Sequence, residues 1–294
     1  MSLTDLMEFY SSVKESVTIG SYLDRIVDWM SANTYTKGKN WSFKDHEFQL
    51  GIVKDPRREM VVQKCSQVGI TELEVRRALG FISLNIGVTV IYTLPTRNFA
   101  MKFAKGRLDP VITTSPYLKK LMVAGADGSE FKQIGTGFFY LGGSQNASQA
   151  ISIPADYLVQ DEIDFCNPAA LSAYESRIRH SDHRIRRTFS TPTVSGYGVN
   201  KAIQDTSQAS YSFRCRKCNT ESFIDFFKDV VVPGFDREFS KFEKDDLFDD
   251  RVHWRDAYLT CPKCRCNIDT ALADPSRRRW VEKHPDRDMA GVYI

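Results

Sequence analysis

The stretch "EMVVQKCSQVGITELEVRRALGFISL", residues 59–84, constrains this chain more than any other. A short apolar run, a turn holding one glycine, and then apolar positions at helical spacing predict a strand, a tight loop and a helix in direct succession. In that setting the N–H groups of the loop and the first helical turn point the same way, and the helix dipole adds positive potential. Phosphate groups are cradled by this arrangement. The usual loop of the kind reads GxxxxGK followed by Ser or Thr, with lysine directly before the hydroxyl residue. Here Gly69 and Thr71 fit, but Ile70 stands between them. The stretch is either an ordinary strand-to-helix connection or a phosphate loop made of Lys64, Cys65, Ser66, Gln67, Val68, Gly69, Ile70 and Thr71. In the second case Lys64, at the mouth of the loop, supplies the cation, and Thr71 offers a hydroxyl to Mg²⁺.

The pattern around this stretch sets the fold class. "VTVIYT", "RNFAMKFAKGRL", "GFFYLGG", "ASQAIS", "DYLVQDE", "PAALSAYESRI" and "RIRRTFSTP" follow as short apolar runs alternating with helical segments. Such alternation predicts βαβ units, hence an α/β fold with a mainly parallel central sheet. A length of 294 residues with 42% hydrophobic content suffices for one large α/β domain and a small appendage. The start, MSLTDLMEFYSS, lacks the basic and apolar regions of a signal peptide, and no run of about 18 apolar residues occurs, so no membrane partner is expected.

Boundaries follow from changes in texture. Residues 1–45 form an N-terminal docking segment, with Leu23, Ile26, Val27 and Met30 at helical spacing. Residues 46–207 hold the alternating core, 208–270 an inserted module that is Phe-rich and acidic, and 271–294 the start of a continuation. The chain stops in the apolar "AGVYI", as a piece of something longer would.

Two acidic residues end the run "DYLVQDEID": Asp161 and Glu162. In a nucleotide-hydrolysing core, a strand-end Asp anchors the Mg²⁺ shell and an adjacent Glu polarises the attacking water. An acidic turn capping a following helix gives the same letters. "RIRRTFSTPTVSG" ends a further strand in Ser190 and Thr191, which suit γ-phosphate sensing and suit a plain turn equally well.

The sequence has seven cysteines, and four of them form two CxxC pairs, Cys215 with Cys218 and Cys261 with Cys264. Two such knuckles close a tetrahedral Cys₄ site for structural Zn²⁺, with no ligand position left open for substrate. Cys266 competes as a ligand. Arg177, Arg179, His180, Arg184, Arg186 and Arg187 crowd one helix end and the next strand, either as a solvated, ion-paired face or as a grip on DNA phosphates. Arg277 to Arg279 are a second candidate of that kind, and Arg107 is a candidate arginine finger acting on a neighbouring subunit.

Lys64 with "QVGIT", "VIYTLPTRNFAMKFAKGRLDPVI", "SQAISIPADYLVQDEID", "STPTVSG" and the later cysteine module together resemble the large terminase subunits of tailed bacteriophages, in their lambda-like branch. The resemblance spans roughly residues 40–294 and implies a RecA-like (ASCE) P-loop NTPase core with an inserted zinc-ribbon-like module. It further implies ATP and Mg²⁺ as cofactors and an activity that drives double-stranded DNA into a procapsid. Expected partners are DNA, the small terminase subunit, the portal and procapsid, and further copies in a ring, in the host cytoplasm. The family's endonuclease domain is expected only in a longer chain.

By position, Lys64 resembles the family's displaced loop cation, Thr71 the Mg²⁺ hydroxyl, Asp161 the Walker B aspartate and Glu162 the catalytic glutamate. Gln49, in "FKDHEFQLGIV", resembles the adenine-contacting glutamine, and Ser190 with Thr191 the coupling motif. Gln160 departs from the usual apolar Walker B strand. Outside the resemblance, another nucleic-acid-dependent P-loop ATPase, such as a helicase or translocase, and a non-hydrolysing zinc-ribbon scaffold on DNA are the competing possibilities.

Overall fold

The computed structural model describes residues 19–150, 153–235 and 239–294. Residues 1–18 of the expected docking segment, and the last two residues of "ASQAIS", lie outside the described residues. The chain forms two compact units. One holds the described residues up to Gln208 together with His284–Ile294, and the other is Ala209–Lys283.

The larger unit is built on a mixed sheet. Its strands are β1 (Glu59–Gln63), β2 (Thr89–Leu94), β3 (Met122–Asp127), β4 (Phe131–Ile134), β5 (Gly137–Gly143), β6 (Tyr157–Asp161), β7 (Ile185–Ser190) and β8 (Ala290–Tyr293). They lie in the order β8-β1-β7-β6-β2-β5-β4-β3. Pairing from β8 through β5 is parallel, and β5, β4 and β3 close the edge as an antiparallel meander. The expected parallel core is present. The meander was not expected, and "ASQAIS" begins as a 3₁₀ turn, Ala147–Ala150.

Strands covered on both faces bury nearly every side chain. All five residues of β6 are buried, including Gln160. Its Oε1 accepts from Thr188 Oγ1 at 2.9 Å and its Nε2 donates to Leu171 O at 3.3 Å, so this polar residue in an apolar strand is satisfied from both sides.

Of the stripe read from the sequence, the N-terminal helix α1 (Ile19–Asn33) buries Leu23, Ile26 and Met30 and half-buries Val27, and it also buries Trp29. A short helix α2 (Phe48–Lys54) precedes β1, and α3 (Ile70–Leu84) follows it. Packing of α1 on α3 is close: a Cβ on Gly80 would fall 2.8 Å from the Trp29 ring. Although charged, Glu74 and Arg77 of α3 are buried, and Tyr157 of β6 donates to Glu74 Oε2 at 2.5 Å.

The smaller unit carries an antiparallel set in which Ala209–Arg214 pairs with Glu221–Ser222 and with Arg278–Glu282. Val230–Val231 pairs with Tyr258–Leu259. A small core of Phe213, Cys215, Cys261 and Ile268 lies where the cysteine knuckles meet. No helix among the described residues is long and apolar enough to cross a membrane.

Candidate functional site

Ligands of open α/β sheets bind beyond the carboxyl ends of the parallel strands, and the residues singled out in the sequence gather there. Lys64 follows β1, Asp161 ends β6 and is followed by Glu162, and Ser190 ends β7 with Thr191 after it. β7 lies between β1 and β6, so the loop and the acidic pair face each other across the strand that carries Ser190.

The loop after β1 leaves Cys65, Ser66 and Gln67 exposed and Val68 and Gly69 half-buried. Gly69 caps α3 with φ 79°, a left-handed conformation that glycine adopts without steric cost. A Cβ there would also meet Gln49 Nε2 at 2.8 Å, and that same nitrogen donates to Val68 O at 3.0 Å. Gln49 is buried and braces the loop from behind, while its Oε1 has no partner. Ile70 is 1% exposed. Its side chain points into the core, so position 70 offers no route for a cation to reach the loop.

Lys64 brings an ammonium to the start of the loop instead. Its Nζ lies 2.7 Å from Glu162 Oε1, with the lysine side chain 7% and the glutamate 26% exposed. The other carboxylate oxygen of Glu162 accepts from Ser190 Oγ at 3.2 Å and from Thr191 N at 3.4 Å. Glu162 adopts left-handed backbone angles, φ 56° and ψ 49°, while its N–H donates to Phe189 O. A non-glycine residue held so costs on the order of 1–3 kcal/mol, sustained by the surrounding structure. That turn lets adjacent carboxylates serve different partners.

Asp161 is 2% exposed. Its Oδ2 accepts from Tyr92 OH at 2.8 Å and from Thr71 Oγ1 at 3.1 Å. Burial raises its pKa to about 7; the Tyr92 and Thr71 hydrogen bonds and nearby Lys64 pull the other way, and Glu162 adds to the rise. Asp161 Oδ1 is buried without a partner. Two hard oxygen donors, a hydroxyl and a carboxylate with one orphaned oxygen, match what Mg²⁺ takes from protein.

Two further residues belong to the site and carry no local sequence signal. Tyr92 of β2 is fully buried and packs on Phe103 and Phe139, presenting only its hydroxyl to Asp161. Asp164 accepts from Thr193 N, Thr193 Oγ1 and Val199 N at 2.8 to 2.9 Å, and so ties down the segment after β7.

The arginine cluster at 177–187 divides by burial. Arg187 is 2% exposed and donates to the carbonyls of Arg57, Arg58 and Arg186, so it is a core residue with no access to DNA. Arg186 is paired with Glu59 and Glu175, and Arg184 donates to Arg179 O. Arg107 is ion-paired to Glu72 of α3 at 2.6 Å.

In the smaller unit, the sulfurs of Cys215, Cys218, Cys261 and Cys264 all lie within 4.8 Å of one another. Cys215 to Cys264 and Cys218 to Cys261 are 3.8 and 3.7 Å apart. A tetrahedral zinc with Zn–S bonds of about 2.3 Å requires sulfurs about 3.8 Å apart. The two CxxC turns repeat each other: Asn219 N donates to Cys215 O and Arg265 N to Cys261 O, and Asn219 and Arg265 both have φ 55°. Cys266 lies outside this repeat, with its sulfur 3.6 Å from Cys215 and 3.3 Å from Cys264.

A family model described as the phage terminase large subunit gpA, ATPase domain, matches residues 49–280. The comparison with curated protein sequences returns no match. Among solved structures, the large terminase of bacteriophage HK97 is similar with a TM-score of 0.53 at 12% identity. The likeness covers 62% of this chain and 40% of that one, and so bears on the fold alone. The large terminase ATPase domain of Thermus phage P74-26 gives a TM-score of 0.39 at 16% identity, over 50% of this chain and 65% of that chain.

Proposed function

The chain belongs to the family of phage terminase large subunit gpA ATPase domains, and from that premise we propose that it is the ATP-hydrolysing motor that drives double-stranded DNA into a procapsid. It spans 40% of the length of the HK97 large terminase. Endonuclease action, contacts with the small subunit, portal and procapsid, ring assembly and a place in the host cytoplasm are accordingly proposed of the whole protein.

One observation carries the assignment: Lys64, Thr71, Asp161, Glu162 and Ser190, drawn from three separate stretches, meet at one end of the sheet in hydrogen-bonding contact. The strand order, with β7 between the loop strand and the acidic strand, supports a RecA-like core. In this reading the N–H groups of residues 66–71 cradle the phosphates, Cys65 N being taken by Ile294 O, and Gln49, which braces the loop, contacts the adenine.

Thr71 and Asp161 would hold Mg²⁺, which when bound offsets phosphate charge. Glu162 accepts a proton from water as the water oxygen bonds to the γ-phosphorus. The bond to the bridging oxygen breaks, and that oxygen leaves with ADP. Lys64 stabilises charge on the transferred group, since charge spread over the phosphoryl oxygens is what such a site must meet. Ser190 and Thr191 would register loss of the γ-phosphate, a reading supported by their hydrogen bonds to Glu162. The cysteine module is proposed to hold a structural Zn²⁺, supported by the sulfur spacing and the repeated turns.

Phosphate release, with and without duplex DNA, tests the assignment. Hydrolysis by the parent chain that vanishes in Glu162→Gln, with the fold retained by circular dichroism, is expected. Equal hydrolysis by both would overturn it.

A further inference from the structure

Beyond the two CxxC turns the backbones of the knuckles still run alike. Cys215 N donates to Thr220 O at 3.0 Å, and Cys261 N donates to Cys266 O at 2.9 Å. Cys266 therefore stands in the second knuckle where Thr220 stands in the first, and this backbone pattern uses only its carbonyl. The side chains differ in what they offer. Thr220 sets a hydroxyl hydrogen bond on Cys218, whereas Cys266 sets a fifth sulfur 3.3 Å from Cys264 and 3.6 Å from Cys215.

A zinc ion holding four thiolates is complete, so a fifth thiol beside it adds nothing to the metal shell. What it adds is reactivity. The ligand sulfurs share their lone pairs with the metal, while that of Cys266 stays free to attack. Cys215 and Cys261 are also buried, but Cys266 is only half-buried and can be reached by a small solute. A solvent-accessible cysteine beside a second one able to resolve it is the arrangement that reversible thiol oxidation uses.

We propose that Cys266 is an oxidation site through which a peroxide ejects the structural zinc. The Cys266 thiol gives its proton to solvent. Its sulfur then takes one peroxide oxygen as the O–O bond breaks, leaving a sulfenic acid and a hydroxide ion. The Cys264 thiolate attacks that sulfur, so that an S–S bond forms, the S–O bond breaks and a second hydroxide departs. Each sulfur has given up one electron, and the peroxide oxygens have gained them. Cys264 is no longer a thiolate, and the metal is left with three ligands. Cys215 and Cys261 share the small core of this unit with Phe213 and Ile268, and a structural metal contributes folding energy directly, so its release loosens Ala209–Lys283. The inference rests on the zinc reading and adds to it a chemical route by which the metal leaves.

Treatment of the purified full chain, freed of reductant, with excess hydrogen peroxide tests this. Released zinc is followed with a chromophoric chelator, and disulfides are mapped by mass spectrometry of non-reduced peptides. The parent is expected to lose about one zinc per chain and to yield a Cys264–Cys266 disulfide. Cys266→Ser and Cys266→Thr, the second of which reproduces the first knuckle, are expected to start with the parent's zinc content. Both should retain it over the time in which the parent is emptied.

The proposal is overturned if either variant loses zinc as fast as the parent, if the disulfides formed exclude Cys266, or if the untreated variants lack zinc that the parent carries. Zinc in the untreated parent separates the two readings. A parent without zinc that still forms the Cys264–Cys266 disulfide sinks the zinc and leaves the oxidation site, whereas a zinc-loaded parent that peroxide does not empty sinks the oxidation site alone.

Discussion

Lys64 and Glu162, separated by 98 positions in the sequence, grip each other across the site at 2.7 Å. The group proposed to meet the γ-phosphate and the group proposed to deprotonate water neutralise one another, and an incoming phosphate competes with Glu162 for the lysine. The two should then fail differently. Lys64→Ala is expected to weaken ATP binding by calorimetry and to abolish hydrolysis. Glu162→Gln is expected to keep the affinity near the parent's while turnover falls by about 10²–10⁴, the range of a lost general base. Matching affinity losses in both variants would contradict this division.

A lysine placed where standard phosphate loops carry it should not substitute for Lys64. Ile70 is 1% exposed, so Ile70→Lys puts an ammonium into an apolar site, where a buried, unpaired charge is strongly destabilising. The double change Lys64→Ala with Ile70→Lys is expected to unfold at lower temperature than Lys64→Ala and to recover no hydrolysis. Recovered phosphate release at the parent's melting temperature is the contrary result.

What could be read in advance was what lies close together in the sequence. The β1–loop–α3 unit, the run ending in Asp161 and Glu162, and the two CxxC turns each announce themselves within about ten residues through periodicity or fixed spacing. Tyr92 could not be found that way, because its role depends on β2 and β6 being neighbours, which brings its hydroxyl to Asp161 from 69 positions away. Arg187 misled for a related reason. In "RIRRTF" it looks like one arginine among several, yet its charge is met by the carbonyls of Arg57 and Arg58, acceptors that no side-chain pattern reveals. The meander's outer strands β3 and β4 were missed because they are short and polar, with Gly125 and Asp127 in one and Lys132 and Gln133 in the other, as suits an edge.

Tyr92→Phe isolates one hydroxyl. The ring keeps its contacts with Phe103 and Phe139, and Asp161 loses the donor at 2.8 Å. A hydrogen bond to a charged group is worth about 1.5–3 kcal/mol, so the melting temperature is expected to fall by roughly 3–10 °C. Because Tyr92 fixes how Asp161 is presented, half-saturation of nucleotide binding by Mg²⁺ should also need more metal. A lower melting temperature with the Mg²⁺ requirement unchanged would leave Tyr92 a packing residue only.

The cysteine module separates ligands from bystander by geometry. The turns Cys215–Cys218 and Cys261–Cys264 share a hydrogen-bond pattern and a left-handed following residue, and Cys266 stands outside both. Purified chain is expected to carry about one zinc, because four thiolates complete the tetrahedral shell. Cys261→Ser should lose it, and the unit Ala209–Lys283 should then become protease-sensitive, since a structural metal contributes folding energy directly. Cys266→Ser should keep both the zinc and the protection. Its sulfur nevertheless lies 3.3 Å from that of Cys264, close enough to take over if the assignment is inverted. Metal content by mass spectrometry on the two variants decides between them: zinc lost from Cys266→Ser and kept in Cys264→Ser would exchange their roles.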